Sequence, residues 1–210
     1  MEQLNAGRAL MGDSLGFHII FVMLGIALPL LTLCIEYWGI RRKNAELLKS
    51  ARLWSYIASV LVITGVISGT VVALQMFFVW PGILQFGGKV IGVGFMLEGY
   101  AFLIEAIALA FYVSTWDKIK GYKHILIGAF IPFGAALSGV LITAVNSWMN
   151  HPTGFDFVNG TVTNPRPWSA LFNETTLLEV THSLLAYYGT VAFVMAGVYA
   201  WVMLRGKLRV

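Results

Sequence analysis

Along the chain, charged and polar residues gather in short clusters that separate five long apolar stretches, at 17–38, 54–79, 91–114, 124–146 and 180–204. Each is close to or above the roughly 20 residues that an α-helix needs to cross a bilayer. The pattern predicts an all-α integral membrane protein, a bundle of five transmembrane helices in a single domain over 1–210, with no internal repeat or low-complexity linker. The first run contains Pro29 and Glu36 and lacks a small-residue cleavage site, so it reads as a retained helix and not as a signal peptide. One connection is long, 147–179, and it sets Pro152, Pro165 and Pro167 among Trp148, Phe155, Phe157 and Trp168. Loops of that length without structure of their own are usually functional or disordered. The aromatic residues predict that this one folds down on the end of the bundle.

Composition strengthens the membrane reading, because only 11% of residues are charged against about 25% in an ordinary soluble domain. The placement of the charges adds direction. Arg41, Arg42, Lys43, Lys49 and Arg52 follow the first helix, Lys118, Lys120 and Lys123 the third, and Arg205, Lys207 and Arg209 the fifth. The other side carries Arg8, Lys89 and Arg166. Basic residues collect in cytoplasmic loops, which predicts an outer amino terminus and a cytoplasmic carboxyl terminus. The net charge of +4 therefore reports topology and gives no reason to expect nucleic acid as a partner. The single cysteine, Cys34, lies within the first helix, so neither an intrachain disulfide nor a cysteine metal site is available.

Candidate chemistry sits in the polar residues inside these stretches. His18 and His182 stand at the outer starts of the first and fifth helices, at matching depth by their place in the apolar runs. A lone histidine near a helix end is more often a hydrogen-bonded interfacial residue than a ligand, yet imidazole is also the usual axial ligand of haem iron in helical bundles. His124 and His151, at a helix start and in a loop, read as solvated. Glu98 and Glu105 are seven residues apart, two helical turns, and so share one face of the third helix. Acids within a membrane helix are costly and usually functional, and two in register form a stepped path for protons. The plainer alternative is a pair of buried acids bonding neighbouring helices. Ser68, Thr70, Gln75, Ser138, Thr143 and Asn146 could complete such a path or serve as packing contacts between helices. Gly65 with Gly69, and Gly134 with Gly139, have spacings that favour close helix approach, and Pro29 and Pro132 predict kinks. Arg8 is placed to hold a lipid phosphate or a haem propionate. These residues fit a membrane cytochrome, a proton-coupled transporter or a channel subunit, and the absence of an inverted repeat disfavours the transporter.

Five ordered motifs narrow the choice: "FHIIFVMLGIALPLL", "SGTVVALQMFFVWPGI", "LEGYAFLIEAIALAFYVSTWDK", "VNSWMNHPTGF" and "THSLLAYYGT". Together they resemble the first half of subunit I of cytochrome bd quinol oxidases, and the SGT…WPG and WMNHPTGF forms are most similar to the cyanide-insensitive branch. The resemblance implies a terminal quinol oxidase of a prokaryotic cell membrane that passes electrons from quinol to oxygen and makes water with protons from the cytoplasm. It implies haem b, and either haem d or a second high-spin haem b, as cofactors. By matching position it implies His18 as axial ligand of an active-site haem and His182 as axial ligand of low-spin haem b. It further implies Glu98 and Glu105 as a proton relay and Arg8 beside haem propionates, and it places Ser138, Asn146 and Trp148 at matched positions. Ala73 departs from the family, many of whose members have Glu there. The family's further haem ligands and its quinol-binding loop lie in a second half beyond these motifs. The expectation is therefore a second oxidase subunit and a chain supplying that half as partners, besides membrane lipid. The alternatives are a non-catalytic membrane subunit that assembles with an oxidase, or a haem b electron carrier without oxygen chemistry.

Overall fold

The computed structural model describes residues 2–206; Lys207 and Arg209, two of the residues used above to orient the chain, lie outside the described residues. Among the described residues, five helices are long and apolar enough to cross a membrane: α1 (Glu2–Arg41), α2 (Ala45–Phe78), α3 (Pro81–Ser114), α4 (Tyr122–Asn150) and, after the loop region, α6 (Thr176–Leu204). Between α4 and α6 lie a hairpin of β1 (Asp156–Val158) and β2 (Thr161–Thr163) and a short helix α5 (Pro167–Leu171). Helices α1 to α4 close into an antiparallel bundle, since α1 packs on α2, α2 on α3, α3 on α4 and α4 back on α1, while α6 lies outside against α1 and α4. Short connections force this up-and-down order. Asn44 caps α2 by accepting from the Glu46 and Leu47 amides at 2.9 and 3.2 Å.

The helices outrun the apolar stretches at several ends. Helix α1 begins fifteen residues before the apolar run and, at 40 residues, is about 60 Å long, twice the roughly 30 Å of a hydrocarbon core. Helix α3 starts at Pro81, ten residues early, with the proline at its first turn where a missing N–H costs nothing. The polar-looking "GGK" within that extension conceals a packing contact: a Cβ on Gly87 would lie 2.7 Å from Cη2 of Trp148. Trp148 is buried with Val90, Ile91, Ala144, Val145, Ala170 and Leu171, and Phe155 packs against this cluster. The long connection thus seats α5 on the end of the bundle. Its hairpin turns through Asn159 and Gly160, both at positive φ (49° and 78°), as a tight two-residue turn requires. Beside it, Asn164 donates to Asp156 at 2.9 Å and Arg166 pairs with it at 3.1 Å, which together hold that carboxyl below its ordinary value.

Of the two glycine pairs, one brings backbones together. A Cβ on Gly134 would sit 2.8 Å from the carbonyl oxygen of Ala101 and 2.8 Å from the amide nitrogen of Glu105, so α4 meets the α3 backbone there. Gly65 faces open space, and Gly69 faces the ring of His18 and no helix backbone, which corrects the close-approach reading of that pair. Neither of the groups beside Gly134 can swing aside, so Gly134→Val is expected to cost about 1–3 kcal/mol. Gly65→Ala, in contrast, is expected to be neutral or to stabilise by about 0.5–1 kcal/mol, the ordinary helix gain. Thermal unfolding of the two variants in detergent checks the contrast.

Candidate functional site

His18 meets α2 at Ser68 and Gly69. Its Nδ1 lies 2.9 Å from Ser68 Oγ, and that hydroxyl also lies 2.9 Å from the Thr64 carbonyl and 3.0 Å from the Gly65 carbonyl. A hydroxyl has one hydrogen. In the tautomer that a metal ligand needs, that hydrogen goes to a helix carbonyl, His18 Nδ1 donates to Ser68 Oγ and Nε2 keeps its lone pair. Gly69 leaves the space the ring occupies, because a Cβ there would lie 2.8 Å from His18 Cε1.

Along the same α1–α2 seam, away from the basic loops, Gln75 Nε2 donates to Ser14 Oγ at 2.6 Å. Gln75 Oε1 and Trp80 Nε1 are buried there without a partner among the described residues. Buried polar atoms are nearly always paired, so this seam has unmet polar capacity. Arg8 is exposed nearly two helical turns before Ser14, next to Gly7, whose Cβ would touch Val79 and Trp80.

His182 is exposed on α6, flanked one turn away on each side by the exposed Leu178 and Leu185. The two histidines are not level. Gly139 on α4 is met by Ile26 of α1 and Leu184 of α6, at 3.1 and 3.8 Å from its would-be Cβ. His18 precedes Ile26 by eight residues and His182 precedes Leu184 by two, so His182 sits roughly 9 Å deeper by helix rise. Position within an apolar run does not report depth when α1 starts so far before its run.

The acidic stripe occupies the α3–α4 seam. Glu98 is half-buried and accepts from Ser138 Oγ at 3.1 Å. Glu105 is buried where Gly134 admits α4 against its own backbone. Ser138 neighbours Gly139, so Glu98 lies near the level of Ile26 and below His18. Asn146 is exposed and bonded to Asn150, while Trp148 is buried and donates to the Thr153 carbonyl at 2.8 Å, in a packing role. Thr70 turns back to the Val66 carbonyl of its own helix.

One histidine departs from its expected setting. His124, expected to be solvated, is 2% exposed, bonded to Glu36 and to the Tyr112 carbonyl, and stacked on the Tyr112 ring at 4.3 Å between centroids. Its place at a helix start suggested water, but α1 and α3 extend past it and cover it. The missed signal was Glu36, an acid inside an apolar run that needs a partner at its own depth. His151 is exposed, as expected.

A family model described as cytochrome bd terminal oxidase subunit I matches residues 6–210. The chain belongs to the cytochrome bd oxidase subunit I family. Among its relatives is a Bacillus subtilis protein described as a cytochrome bd menaquinol oxidase subunit I, 36% identical over 99% of this chain and 47% of that one. A second B. subtilis relative, cytochrome bd ubiquinol oxidase subunit 1, is 28% identical over 99% of this chain and 44% of its own length. The solved bd oxidase from Geobacillus thermodenitrificans superposes with a TM-score of 0.94 at 35% identity, over 98% of this chain and 48% of the other. The chain spans about half the length of the relatives it matches. As a bd oxidase subunit I family member with five helices long and apolar enough to span, it is a multi-pass protein of a prokaryotic cell membrane.

Proposed function

We propose that this chain is the haem-binding half of a bd-type terminal quinol oxidase, which oxidises quinol and reduces oxygen to water. The observation that carries the reading is His18, anchored through Nδ1 on Ser68 in the space that Gly69 leaves, with Nε2 available to ligate. This is the donor a haem iron takes, with the second nitrogen anchored as ligating histidines usually are. His182, exposed on α6, would be the axial ligand of the low-spin haem b, and Arg8, ten residues before His18 on α1, would hold a propionate. When bound, the haems, b together with d or a second high-spin b, would carry electrons and bind oxygen. The complementary ligands and the quinol loop belong to the half of the family architecture outside residues 1–210, supplied with a second oxidase subunit.

The chain's own residues handle protons and position. The basic loops face the cytoplasm, Glu105 takes a proton from that side, and Glu98, held by Ser138, passes it toward the level of His18. Gly134 fixes the seam in which Glu105 sits. The reading is tested by a reduced-minus-oxidised spectrum and quinol-driven oxygen uptake of the purified complex; haem absorption absent from the complex overturns it. Ser68→Ala is expected to weaken haem retention at His18 by about 10–100-fold, the usual loss when a ligand's hydrogen-bond partner goes, as haem titration of the depleted complex measures.

A further inference from the structure

At the end of the bundle that holds the basic loops, Glu36, Tyr112 and His124 form a closed cluster, each at most 4% exposed. His124 Nε2 lies 2.9 Å from the Tyr112 carbonyl, which only accepts, so that nitrogen carries a hydrogen. His124 Nδ1 lies 2.6 Å from Glu36 Oε1. A bare nitrogen facing an ionised carboxylate would set lone pair against lone pair, so a proton lies between them. The pair is neutral as a unit, with one proton shared between the two groups. Tyr112 donates its hydroxyl to the other Glu36 oxygen at 2.6 Å. Trp116 closes the site edge-on to the His124 ring, 4.8 Å between centroids.

Tyr112 follows Glu105 by seven residues, as Glu105 follows Glu98, so the three share one face of α3. Beside the cluster is a small pocket of about 10 Å³, lined by Thr32, Ser55 and Tyr112 together with six apolar residues, among them Leu109, one helical turn from Glu105. Thr32, 1% exposed, has a hydroxyl with no partner among the described residues. The space is at the lower limit for one water, and the unmet Thr32 hydroxyl beside Ser55 and Tyr112 gives a water polar partners within a mostly apolar lining. A buried ionisable pair is rarely the most stable way to fill such a position, since apolar residues of similar volume often do as well.

We propose that Glu36, His124 and Tyr112 form a proton-loading site at the basic end of the α3 stripe, feeding Glu105 through a water held by Thr32. In the transfer, Tyr112 gives its hydroxyl proton by way of that water to the Glu105 carboxylate. The Tyr112 oxygen regains a proton from the Glu36–His124 pair, and the pair regains one from the solvent at the basic end. One proton moves from solvent to Glu105, only O–H and N–H bonds change, and nothing is oxidised or reduced.

The inference rests on Glu105 acting in the relay of the proposed function, and the experiment separates the two. In the assembled oxidase complex, Glu36→Gln, Tyr112→Phe, Thr32→Val and Glu105→Gln are compared for quinol-driven oxygen uptake, haem spectrum and the ratio of rates in H2O and D2O. The loading site predicts that Tyr112→Phe and Glu36→Gln slow turnover tenfold or more with unchanged haem spectra and a larger isotope ratio. Thr32→Val, which leaves the pair untouched, slows turnover in the same sense and decides the matter where Glu36→Gln does not assemble. If Glu105→Gln is slow while the other three match the parent, the loading site is overturned and the relay stands. If Glu105→Gln also matches the parent, both fail. If turnover in the cluster variants falls only in step with haem content, the cluster is a structural tie between α1, α3 and α4, and the proposal is overturned.

Discussion

The variant His182→Ala is expected to assemble with its five helices in place and to lack the low-spin haem b band in its reduced-minus-oxidised spectrum. His182 is exposed on α6 between exposed Leu178 and Leu185, so within these five helices truncating it empties no core position. Loss of a band without loss of fold therefore isolates the ligand role. Quinol oxidation should fall with the band, because electrons enter through that haem in the proposed scheme. His18→Ala supplies the complementary result, sparing the low-spin band and removing absorption from the active-site haem. It is expected to be the less stable of the two, since His18 packs against Gly69 and bonds Ser68. A low-spin band that survives His182→Ala unchanged would refute the assignment.

The contrast between these two histidines shows what could be read from the residues alone. The five helices were legible because apolar length is a direct consequence of bilayer thickness. Their ends were not, since Pro81 and the "GGK" segment look like breaks until Trp148 is seen to need the space at Gly87. The two-turn spacing of Glu98 and Glu105 was legible from helix geometry, and the α4 backbone at Gly134 explains why the deeper acid is sealed in. The setting of His124 was hidden for a different reason. Its partners, Glu36 and Tyr112, come from two other helices, 88 and 12 residues away, and no local pattern links them. The same holds for Ser68, whose spacing resembles ordinary helix packing until His18, 50 residues earlier, is placed on it.

Replacing Glu105 with glutamine is expected to leave haem content unchanged and to lower oxygen reduction by about 100-fold, the lower end of what a positioned proton-transfer group contributes. Glutamine has the shape of glutamate, so the seam against Gly134 is preserved, and only the exchangeable carboxyl proton is lost. No hydrogen bond holds the Glu105 side chain among the described residues, in contrast to Glu98 with Ser138. A buried acid without such a bond contributes little to packing. Glu105→Leu should therefore be as stable as the parent or more so, because an unpaired buried polar group costs about 1–3 kcal/mol, while its turnover falls as far as that of the glutamine variant. Stability and rate then move in opposite directions, which a merely structural acid cannot produce. Glu98→Gln keeps an oxygen that can accept from Ser138, so its rate loss reports proton transfer and not a broken contact. Thermal unfolding and oxygen uptake measured on the same preparations decide between these outcomes. Parental turnover in Glu105→Leu would remove the carboxylate stripe from the proton path.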